Sequence, residues 1–461
     1  DLVRSRGLGD VYKRQVLRRK LAEAGHLGDV KIVTVPLCGR FVVGPFDLEF
    51  LHVSHSIPEA QALAIRTRHG VLVHTGDWKL DPDPLIGAPT DEAAFARLGD
   101  EGVLAMICDS TNAMVEGHSG SEADVRRNLA AIIRGLSGRV AVACFATNLA
   151  RVESVALAGQ AAGRQVALFG RSLRNAVTAA RDCGYLREIP EFLAEEDAGY
   201  LPDDNLLVIC TGSQGEPRSA LSRIAADTHS QIALGEGDTV IFSSRMIPGN
   251  ERGILRMQDQ LARRGCRVMT ADDHMVHVSG HPARDELKRL YALVRPRFAV
   301  PVHGEWRHLQ EHAALMREVQ VTPILVEDGD VVRFSPGKPD VVEGVPTGRL
   351  AVDEGRLLPL SGSVLAARKR MLGNGVVIAS LAVDPTGRVL GTPQISAPGL
   401  LEAEEGSGPL ASELIRAIAA LPSALRREDD ALREAVRAVL RKAIGRRLRK
   451  RPLVEVHLLR V

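Results

Sequence analysis

Two short histidine motifs contain the residues of this sequence that are best suited to chemistry. The motifs HVSGH, from His277 to His281, and PVHGE, around His303, lie at the two ends of a segment whose pattern predicts a helix followed by an apolar strand. A glycine precedes His281 and another follows His303, and glycine adopts backbone conformations that are closed to other residues. We therefore predict that both imidazoles point into a cleft, where they could bind a metal ion or transfer a proton.

Three residues at the ends of predicted strands have the chemistry of metal ligands. They are His55, Asp77 and His303. Open α/β sheets place their sites at the carboxyl ends of strands. Histidine nitrogen and carboxylate oxygen suit zinc or manganese, and one aspartate can bridge two ions. A single histidine at a strand end is more often a hydrogen-bonded structural residue, so only the joint occurrence favours a partial metal shell.

The length and composition predict the number of domains but exclude few classes of function. The 461 residues favour two to three domains, at roughly one per 150 residues. Apolar residues at 45% and charged residues at 25% are ordinary for a globular protein, whereas 3% aromatics leave few side chains to stack on bases. The net charge of +2 neither implies nor excludes nucleic acid, because attraction to a polyanion would have to come from local patches.

The cysteines and the hydropathy indicate the compartment. Six cysteines are dispersed singly, without the paired spacing of a metal site, which favours buried thiols in a reducing compartment. No segment approaches the roughly 20 consecutive apolar residues that span a bilayer, and no signal-peptide core is present at the start. We predict a cytoplasmic protein that does not associate with membranes.

The elements that must position the candidate residues follow a mixed α/β order. We predict a helix over 16–24, a strand over 30–36 (VKIVTVP), an alternating strand that leads to His55, and buried strands that end at Asp77 and Asp109. Between about 119 and 269, short apolar strands alternate with helices. This rhythm predicts a second α/β domain with a parallel sheet and crossover helices.

The remainder after His303 is predicted to contain smaller elements. A helix to about Val319 is followed by the strands TPILV and DVVRF, and then by a Gly- and Pro-rich linker or meander. The last part contains strands and two helices. Its final helix, 429–448, carries an apolar stripe beside many basic residues, which favours a packing or dimer surface, with an RNA-tracking patch as the alternative.

Seven short motifs occur in one order along the chain: HSIPEA, HTGDWKLD, DSTNA, TGSQGEP, MIPGNE, HVSGH and PVHGEWR. In content and order they resemble the motifs of the β-CASP metallo-β-lactamase nucleases, and among these the ribonuclease J family. The resemblance covers roughly residues 16 to 461. It implies the α/β class: a metallo-β-lactamase αββα sandwich, an inserted β-CASP α/β domain and a small α+β C-terminal domain.

We predict the domain limits from the resemblance together with the element pattern. They are a non-family or disordered leader (1–15), the first part of the metallo-β-lactamase domain (16–118), the β-CASP domain (119–270), the return segment of the first domain (271–335), a linker (336–372) and the C-terminal domain (373–461). The first part is expected to be truncated, because the unrelated leader stands where more of that domain would be expected.

The resemblance also implies a role for each matching residue. His55, Asp77 and His303 would bind metal, with Asp77 bridging two divalent ions; zinc is the expected metal, and manganese and magnesium are the alternatives. Asp77, Asp109 and His281 would be catalytic. His281 would face the scissile phosphate and stabilise charge or protonate the leaving oxygen, and Asp109 would orient it.

Other loop residues are expected to bind the nucleotide. In the family, one loop forms a pocket for a 5′-monophosphate, which implies 5′-to-3′ exonuclease action on 5′-monophosphorylated RNA in RNA processing and decay. Endonuclease activity and assembly as a homodimer or homotetramer are further implications. For any single loop, a tight turn that needs glycine is an equally good interpretation. The predicted substrate-binding residues are His277, Ser279, Gly280, His281, Ser213 and Ser243, and weaker candidates are Thr147, Asn148 and Arg151.

One departure from the family pattern bears on activity. None of the 14 histidines forms the family motif His-x-His-x-Asp-His, which supplies ligands to both ions. We therefore expect neither ion to have a full shell and the chain to be impaired as an enzyme. Two alternatives remain: a non-catalytic RNA-binding or assembly subunit, and a β-CASP nuclease that acts on DNA.

Overall fold

The computed structural model describes residues 11–401 and 407–461. The first ten residues of the predicted leader lie outside the described residues. The chain divides into two compact units, with the division between Gly344 and Val345. Each unit has its own sheets and its own core.

The first unit alternates strands and helices. Its strands are β1 (Arg40–Val43), β2 (Phe46–His52), β3 (Gln61–Thr67), β4 (Gly70–His74), β5 (Val103–Asp109), β6 (Val140–Ala143), β7 (Gln165–Phe169), β8 (Leu206–Cys210), β9 (Thr239–Phe242), β10 (Arg267–Met269), β11 (Phe298–Val302), β12 (Thr322–Pro323), β13 (Asp330–Arg333) and β14 (Asp340–Gly344). Its helices are α1 (Val11–Glu23), α2 (Glu92–Glu101), α3 (Glu122–Arg134), α4 (Leu149–Ala161), α5 (Arg171–Asp182), α6 (Ala220–Ala225), α7 (Glu251–Arg263), α8 (Arg284–Val294) and α9 (Trp306–Glu318), with 3₁₀ turns at Glu195–Tyr200 and Asp203–Asn205.

A seven-stranded mixed sheet, in the order β1-β2-β3-β4-β5-β11-β12, positions the candidate ligands. Strands β1 to β4 pair antiparallel, whereas β4, β5 and β11 are parallel neighbours. Parallel strands end at the same edge of a sheet, so the residues that follow them meet there. Asp77 follows β4, Asp109 ends β5 and His303 follows β11.

The helices α2, α8 and α9 bury apolar stripes against this sheet. Phe95 and Leu98 lie one turn apart on α2, and Leu287 and Leu290 repeat the spacing on α8; all four are buried in one core with strand residues. Complete burial of such a side chain contributes about 1.5–3 kcal/mol. The sheet edge that carries the candidate ligands is therefore held by a packed layer of helices.

A second lobe is inserted between β5 and β11. Its five strands are all parallel, in the order β10-β9-β6-β8-β7. Both faces of the sheet are covered, because residues of α3, α4 and α5 belong to one core and residues of α6 and α7 to another. The predicted parallel sheet with crossover helices is confirmed, and its central strand β6 is buried at every position, as expected for a sheet covered on both faces.

One buried carboxylate joins the two ends of this insertion. Glu286, near the start of α8, is fully buried and accepts hydrogen bonds from the N–H groups of Leu80, Ser119 and Ala283, at 2.7, 2.8 and 2.8 Å. The hydroxyl of Ser119 donates a further bond at 2.9 Å. Ser119 lies where the chain leaves the first sheet and Ala283 where it returns, so both crossings are fixed at a single point.

Three local predictions differ from the structure. Helix α1 begins at Val11, five residues before the predicted start, because Tyr12 is buried against Tyr185 and the Glu59 carboxylate accepts from the N–H group of Tyr12 at 3.1 Å. The predicted strand over 30–36 is wrong: this segment has no ladder partner, and Val33 is 46% exposed. The strand predicted at TPILV is reduced to the two residues of β12.

The second unit is a small α+β fold. Its elements are β15 (Leu350–Asp353), β16 (Arg356–Pro359), α10 (Ser363–Asn374), β17 (Val376–Val383), β18 (Val389–Ser396), α11 (Gly408–Ala419), α12 (Ser423–Arg427), α13 (Asp429–Leu448) and β19 (Leu453–Arg460). A three-stranded sheet in the order β18-β17-β19 packs on the apolar stripe of α13, in which Val436, Leu440 and Ile444 are fully buried. The stripe therefore serves packing within the unit. In the described parts of the chain, no helix has the length and apolar character needed to cross a membrane.

Candidate metal centre

Asp77, Asp109, His281 and His303 converge at the carboxyl edge of the seven-stranded sheet. One ligand atom of each residue lies within 4.8 Å of the corresponding atom of every other. His303 Nδ1 is 3.2 Å from Asp77 Oδ1 and 3.4 Å from Asp109 Oδ1. Residues far apart in sequence are therefore brought together by the parallel strands β4, β5 and β11.

The backbone around His303 is specialised, although not in the predicted way. His303 itself adopts a left-handed φ of 60°, whereas Gly304 and Gly280 have no positive φ. These two glycines are needed for close approach instead: a Cβ on Gly280 would lie 2.8 Å from the His55 ring, and one on Gly304 would lie 2.8 Å from the Cβ of His308. Their role is to leave room for neighbouring imidazoles and not to permit a turn.

His55 is oriented by the backbone of the HVSGH loop. Its Nδ1 donates to the carbonyl oxygen of Gly280 at 2.7 Å, so Nε2 carries the lone pair. That Nε2 lies 3.9 Å from Asp77 Oδ2 and 3.1 Å from the hydroxyl of Ser56. A carbonyl that fixes the tautomer of a ligating imidazole is the usual second layer of a metal site.

His281 is paired with a buried carboxylate. Its Nδ1 is 2.7 Å from Oδ2 of Asp109, whose side chain is fully buried. The rings of His55 and His303 lie on either side, with centroids 5.1 and 5.2 Å from that of His281. Because Nδ1 is bound by Asp109, Nε2 of His281 is the atom left to meet a substrate.

Electrostatics keep Asp109 ionised. Burial raises its pKa, but hydrogen bonds from His281 and His303, together with the N–H of Thr111, outweigh burial and hold the pKa well below its usual value. The pKa of His303 is raised in turn by its hydrogen bond to Asp109. Burial lowers the pKa of His55, which favours its neutral, ligand-competent form.

This donor set fits a divalent cation. Imidazole nitrogens and carboxylate oxygens are the ligands that zinc and manganese take in proteins, and Asp77 has one oxygen near His303 and the other facing His55. Two anionic carboxylates at close range favour a cation between them. Of the predicted ligands, Asp77 and His303 belong to the four-residue cluster with Asp109 and His281, whereas His55 lies beside it, with Nε2 3.9 Å from Asp77 Oδ2.

The cluster opens into a cavity of about 710 Å³. The HVSGH loop forms part of its wall through His277, Ser279, Gly280 and His281. Ser279 Oγ accepts from Asn112 Nδ2 at 2.8 Å and from the His281 N–H at 3.2 Å, so its own hydrogen is free to be donated. These four predicted substrate-binding residues are thus placed on one surface.

The other predicted substrate-binding residues, Ser213 and Ser243, do not offer a free hydroxyl group to a ligand in the cavity. Ser213 is buried and does not line the cavity. Ser243 lines it, but its hydroxyl donates to the carbonyl of Val276 at 2.7 Å and has no hydrogen left for a phosphate. Of the weaker candidates, Asn148 caps α4 by accepting from the N–H of Arg151 at 3.0 Å.

Three models of known families match successive parts of the chain. They are the "Ribonuclease J, beta-CASP domain" at residues 137–261, the "Zn-dependent metallo-hydrolase RNA specificity domain" at 267–326 and the "Ribonuclease J C-terminal domain" at 363–461. Among curated proteins, the chain is 40% identical to a ribonuclease J of Sinorhizobium meliloti over 97% of the chain and 80% of that relative. Proteins of the same name from Mycolicibacterium smegmatis and Thermus thermophilus are 39% and 36% identical, over 97% and 94% of the chain and 80% and 76% of the relative.

The chain belongs to the ribonuclease J family. This confirms the family and the fold class expected from the seven motifs. The model at 267–326 contains His277, His281 and His303, and its zinc-dependent description, with the donor cluster, supports the use of a divalent metal. The predicted domain limits remain predictions, since the models match shorter stretches.

Several residues that line this cavity were not identified from the sequence. Arg245 and Arg307 are exposed on its wall and add positive charge, Asn112 ties the HVSGH loop to β5, and Phe145 is an exposed aromatic at the end of β6. Arg245 Nη1 donates to Asn112 Oδ1 at 3.1 Å. Phe145 follows strand β6 and Arg245 follows strand β9, so the strand-end rule that selected Asp77 could have found both.

Proposed function

We propose that this chain hydrolyses phosphodiester bonds of RNA with the help of divalent metal. The observation that carries the proposal is the convergence of Asp77, Asp109, His281 and His303 at one end of a cavity whose wall also holds arginines. Carboxylates and imidazoles attract the cation, and the arginines attract the phosphates of the substrate. The names of the related proteins and of the RNA specificity domain support RNA as the substrate.

His55, Asp77 and His303 are the residues that would hold metal, and we propose that Asp77 would be shared by two ions. When bound, divalent ions supply an activated water and stabilise charge on the phosphoryl oxygens. Zinc is the metal we propose, with manganese and magnesium as alternatives, because the donors are a mixture of nitrogen and oxygen.

The chain's own residues would act on the leaving group. Asp109 holds the Nδ1 hydrogen of His281, so a proton can be exchanged only at Nε2. We propose that His281 passes this proton to the oxygen that leaves the phosphorus. In that role Asp109 and His281 work as a pair, and Ser279 donates to a phosphoryl oxygen beside them.

A 5′-monophosphate would be recognised in the same cavity. The ring of His277 and the guanidinium of Arg245 line this cavity, and we propose that they supply donors for a doubly charged phosphate. Recognition of a 5′ end favours 5′-to-3′ exonuclease action in RNA processing and decay, and an endonuclease mode remains part of the proposal.

Assembly as a homodimer or a homotetramer is also proposed. Several apolar side chains of the second unit are exposed, among them Val352 at 76%, Leu357 at 63% and Leu372 at 92%. Apolar groups exposed in this way are common at surfaces between subunits. Light scattering of the purified chain across a range of concentrations tests the assembly, and a monomer at all concentrations contradicts it.

The test of function compares cleavage with binding. The chain is incubated with 5′-monophosphorylated RNA, 5′-hydroxyl RNA and single-stranded DNA, with zinc, manganese or magnesium, and products are resolved by length. We expect slow release of mononucleotides from 5′-monophosphorylated RNA, because the His-x-His-x-Asp-His ligands are absent from the sequence, and loss of this cleavage in His303→Ala. The control is His26→Ala, which changes an exposed histidine paired only with Asp29.

The other outcomes of this assay separate the alternatives. Binding of RNA without cleavage under any metal would favour a non-catalytic RNA-binding or assembly subunit. Cleavage of DNA in preference to RNA would favour a β-CASP nuclease that acts on DNA. Either result would overturn the proposed ribonuclease activity of this chain.

A further inference from the structure

A buried arginine lies directly behind the HVSGH loop. Arg151, in the first turn of α4, has a fully buried side chain. Its Nε and Nη2 donate to the two carboxylate oxygens of Glu122 at 3.1 and 2.9 Å. Its Nη1 donates to the Ser243 carbonyl at 3.0 Å, the Ser243 hydroxyl at 2.7 Å, the Val276 carbonyl at 3.1 Å and Nδ1 of His277 at 3.4 Å.

The chemistry of guanidinium restricts what each partner can do. Arginine has only donors and is always protonated, so every atom that contacts it within hydrogen-bond distance must accept. The two carbonyls and the Glu122 carboxylate accept by nature. Ser243 accepts because its own hydrogen is donated to Val276.

The remaining contact, 3.4 Å from Nη1 to Nδ1 of His277, is the longest of the four, and a lone pair on Nδ1 is the arrangement that makes it a hydrogen bond. In a neutral imidazole the hydrogen then lies on Nε2. The ring of His277 lines the cavity, and in the described residues no protein atom is hydrogen-bonded to its Nε2. The N–H of Nε2 is therefore available to a ligand in the cavity.

We propose that Arg151 is a positioning residue that holds His277 in the neutral tautomer with its hydrogen on Nε2, so that His277 offers a fixed N–H donor to an anion in the cavity. The anion role rests on the proposed function, whereas the tautomer does not. Arg151 has no contact with the cavity itself and acts only through His277 and Ser243.

The charges around His277 all oppose a second proton on its ring. Burial lowers its pKa, and the nearby cations Arg151, Lys79 and Arg245 lower it further, to about 3. Glu122 is bound to Arg151 and Asp81 is bound to Lys79 at 2.8 Å, so neither carboxylate is free to stabilise an imidazolium. The donor is thus expected to stay the same at every pH at which the protein is folded.

The direct test is the tautomer of His277 in the unmodified chain. The protein is labelled with ¹⁵N-histidine, the His277 signals are assigned from their loss in His277→Gln, and the ring nitrogens are observed between pH 5.5 and 8. We expect Nε2 to have the ¹⁵N chemical shift of a protonated nitrogen and Nδ1 that of an unprotonated nitrogen. Neither shift should change with pH. A hydrogen on Nδ1, or titration near the ordinary value of about 6.5, would overturn the assignment.

A matched pair of variants tests whether Arg151 is the cause. The double variant Glu122→Gln with Arg151→Met removes both buried charges together, and we expect His277 to show mixed tautomers and to titrate. Arg164→Met is the control, because Arg164 is also buried and donates only to carbonyls, those of Leu136, Gly138 and Leu206. Loss of the His277 signature in the control, or its persistence in the double variant, would refute the role of Arg151.

Addition of inorganic phosphate to the unmodified chain tests the anion role. We expect the Nε2 hydrogen signal of His277 to shift with saturation, and to do so less in the double variant. An unmoved signal would overturn the anion role. The RNA cleavage assay is independent of this measurement, so failure of the ribonuclease proposal and failure of this inference can be told apart.

Discussion

The two histidines of the HVSGH loop are four residues apart and have opposite partners. Nδ1 of His281 faces a buried carboxylate, Asp109, at 2.7 Å, whereas Nδ1 of His277 faces a buried guanidinium, Arg151, at 3.4 Å. A carboxylate accepts a hydrogen and supports a positive ring, and a guanidinium donates one and excludes it. We therefore propose that the buried partner behind each ring separates the two roles, with His281 as the proton-transferring residue and His277 as the fixed neutral donor.

Removal of the cation behind His277 is expected to have the largest effect. Arg151→Met leaves the buried Glu122 carboxylate without a charged partner and with only the Asn148 amide donating to it, and breaking a buried ion pair lowers the free energy of unfolding by about 3–5 kcal/mol. Urea unfolding measures the change. Arg289→Met, which breaks the exposed pair with Glu92, should lower it by less than about 1 kcal/mol. Equal losses in the two variants would contradict the contrast.

Removal of the charge behind His281 comes next. In Asp109→Asn the amide can no longer hold His281 and His303 by charge, so we expect divalent metal to bind about 10- to 100-fold more weakly. Competition with a coloured chelator measures the affinity for zinc. Asp285→Asn, a change beside the exposed His118, is the control and should bind normally. Unchanged affinity in Asp109→Asn would remove Asp109 from the site.

The pH dependence of stability tests whether the His277 ring is neutral in the folded protein. The folded pKa of His277, about 3, lies below its unfolded value of about 6.5, so its contribution to stability is complete above pH 6.5 and is lost as the pH falls towards 3. We expect a loss of about 1.6 kcal/mol between pH 6.5 and 5 that His277→Gln abolishes. Unfolding in EDTA at several pH values measures it. An identical slope in both proteins would contradict the neutral ring.

The smallest expected effect concerns the residue between the two histidines. Ser279→Ala removes the acceptor for Asn112 Nδ2 and the His281 N–H, so it should lower the free energy of unfolding by about 1 kcal/mol. Ser380→Ala, in the second unit, where the hydroxyl contacts only His457, should be nearly neutral. Differential scanning calorimetry measures the stability of both variants. An unchanged free energy of unfolding in Ser279→Ala would show that the loop does not depend on these two hydrogen bonds.

The ligand cluster could be predicted from sequence because its geometry follows from strand order. Asp77, Asp109 and His303 each follow a short apolar strand, and parallel strands deliver their last residues to one edge. The strand-end rule also selected His55, and the resemblance of seven motifs supplied the roles expected for Asp109 and His281. Only the reason for the neighbouring glycines was misjudged, since they leave space for rings and do not adopt a positive φ.

The Arg151 network could not be predicted in the same way. Its partners Glu122, Ser243 and His277 are 29, 92 and 126 positions away, on three separate connections of the inserted lobe. An arginine in the first turn of a helix is usually solvated, and no periodicity marks this one as buried. Sequence therefore suggested a weak phosphate contact, whereas the structure places Arg151 behind the wall as the support of a ligand-facing ring.

The carboxylate of Glu286 has a consequence for protein engineering. It binds the residues at which the inserted lobe departs and returns, Ser119 and Ala283, and all seven strands of the first sheet lie outside that interval. Splicing the chain directly across this junction would delete the whole second sheet and keep the first one uninterrupted. Such a miniature would carry Asp77, Asp109 and His303 but would lose Arg151 and the whole HVSGH loop, so it would show how much metal affinity these three side chains keep without His281.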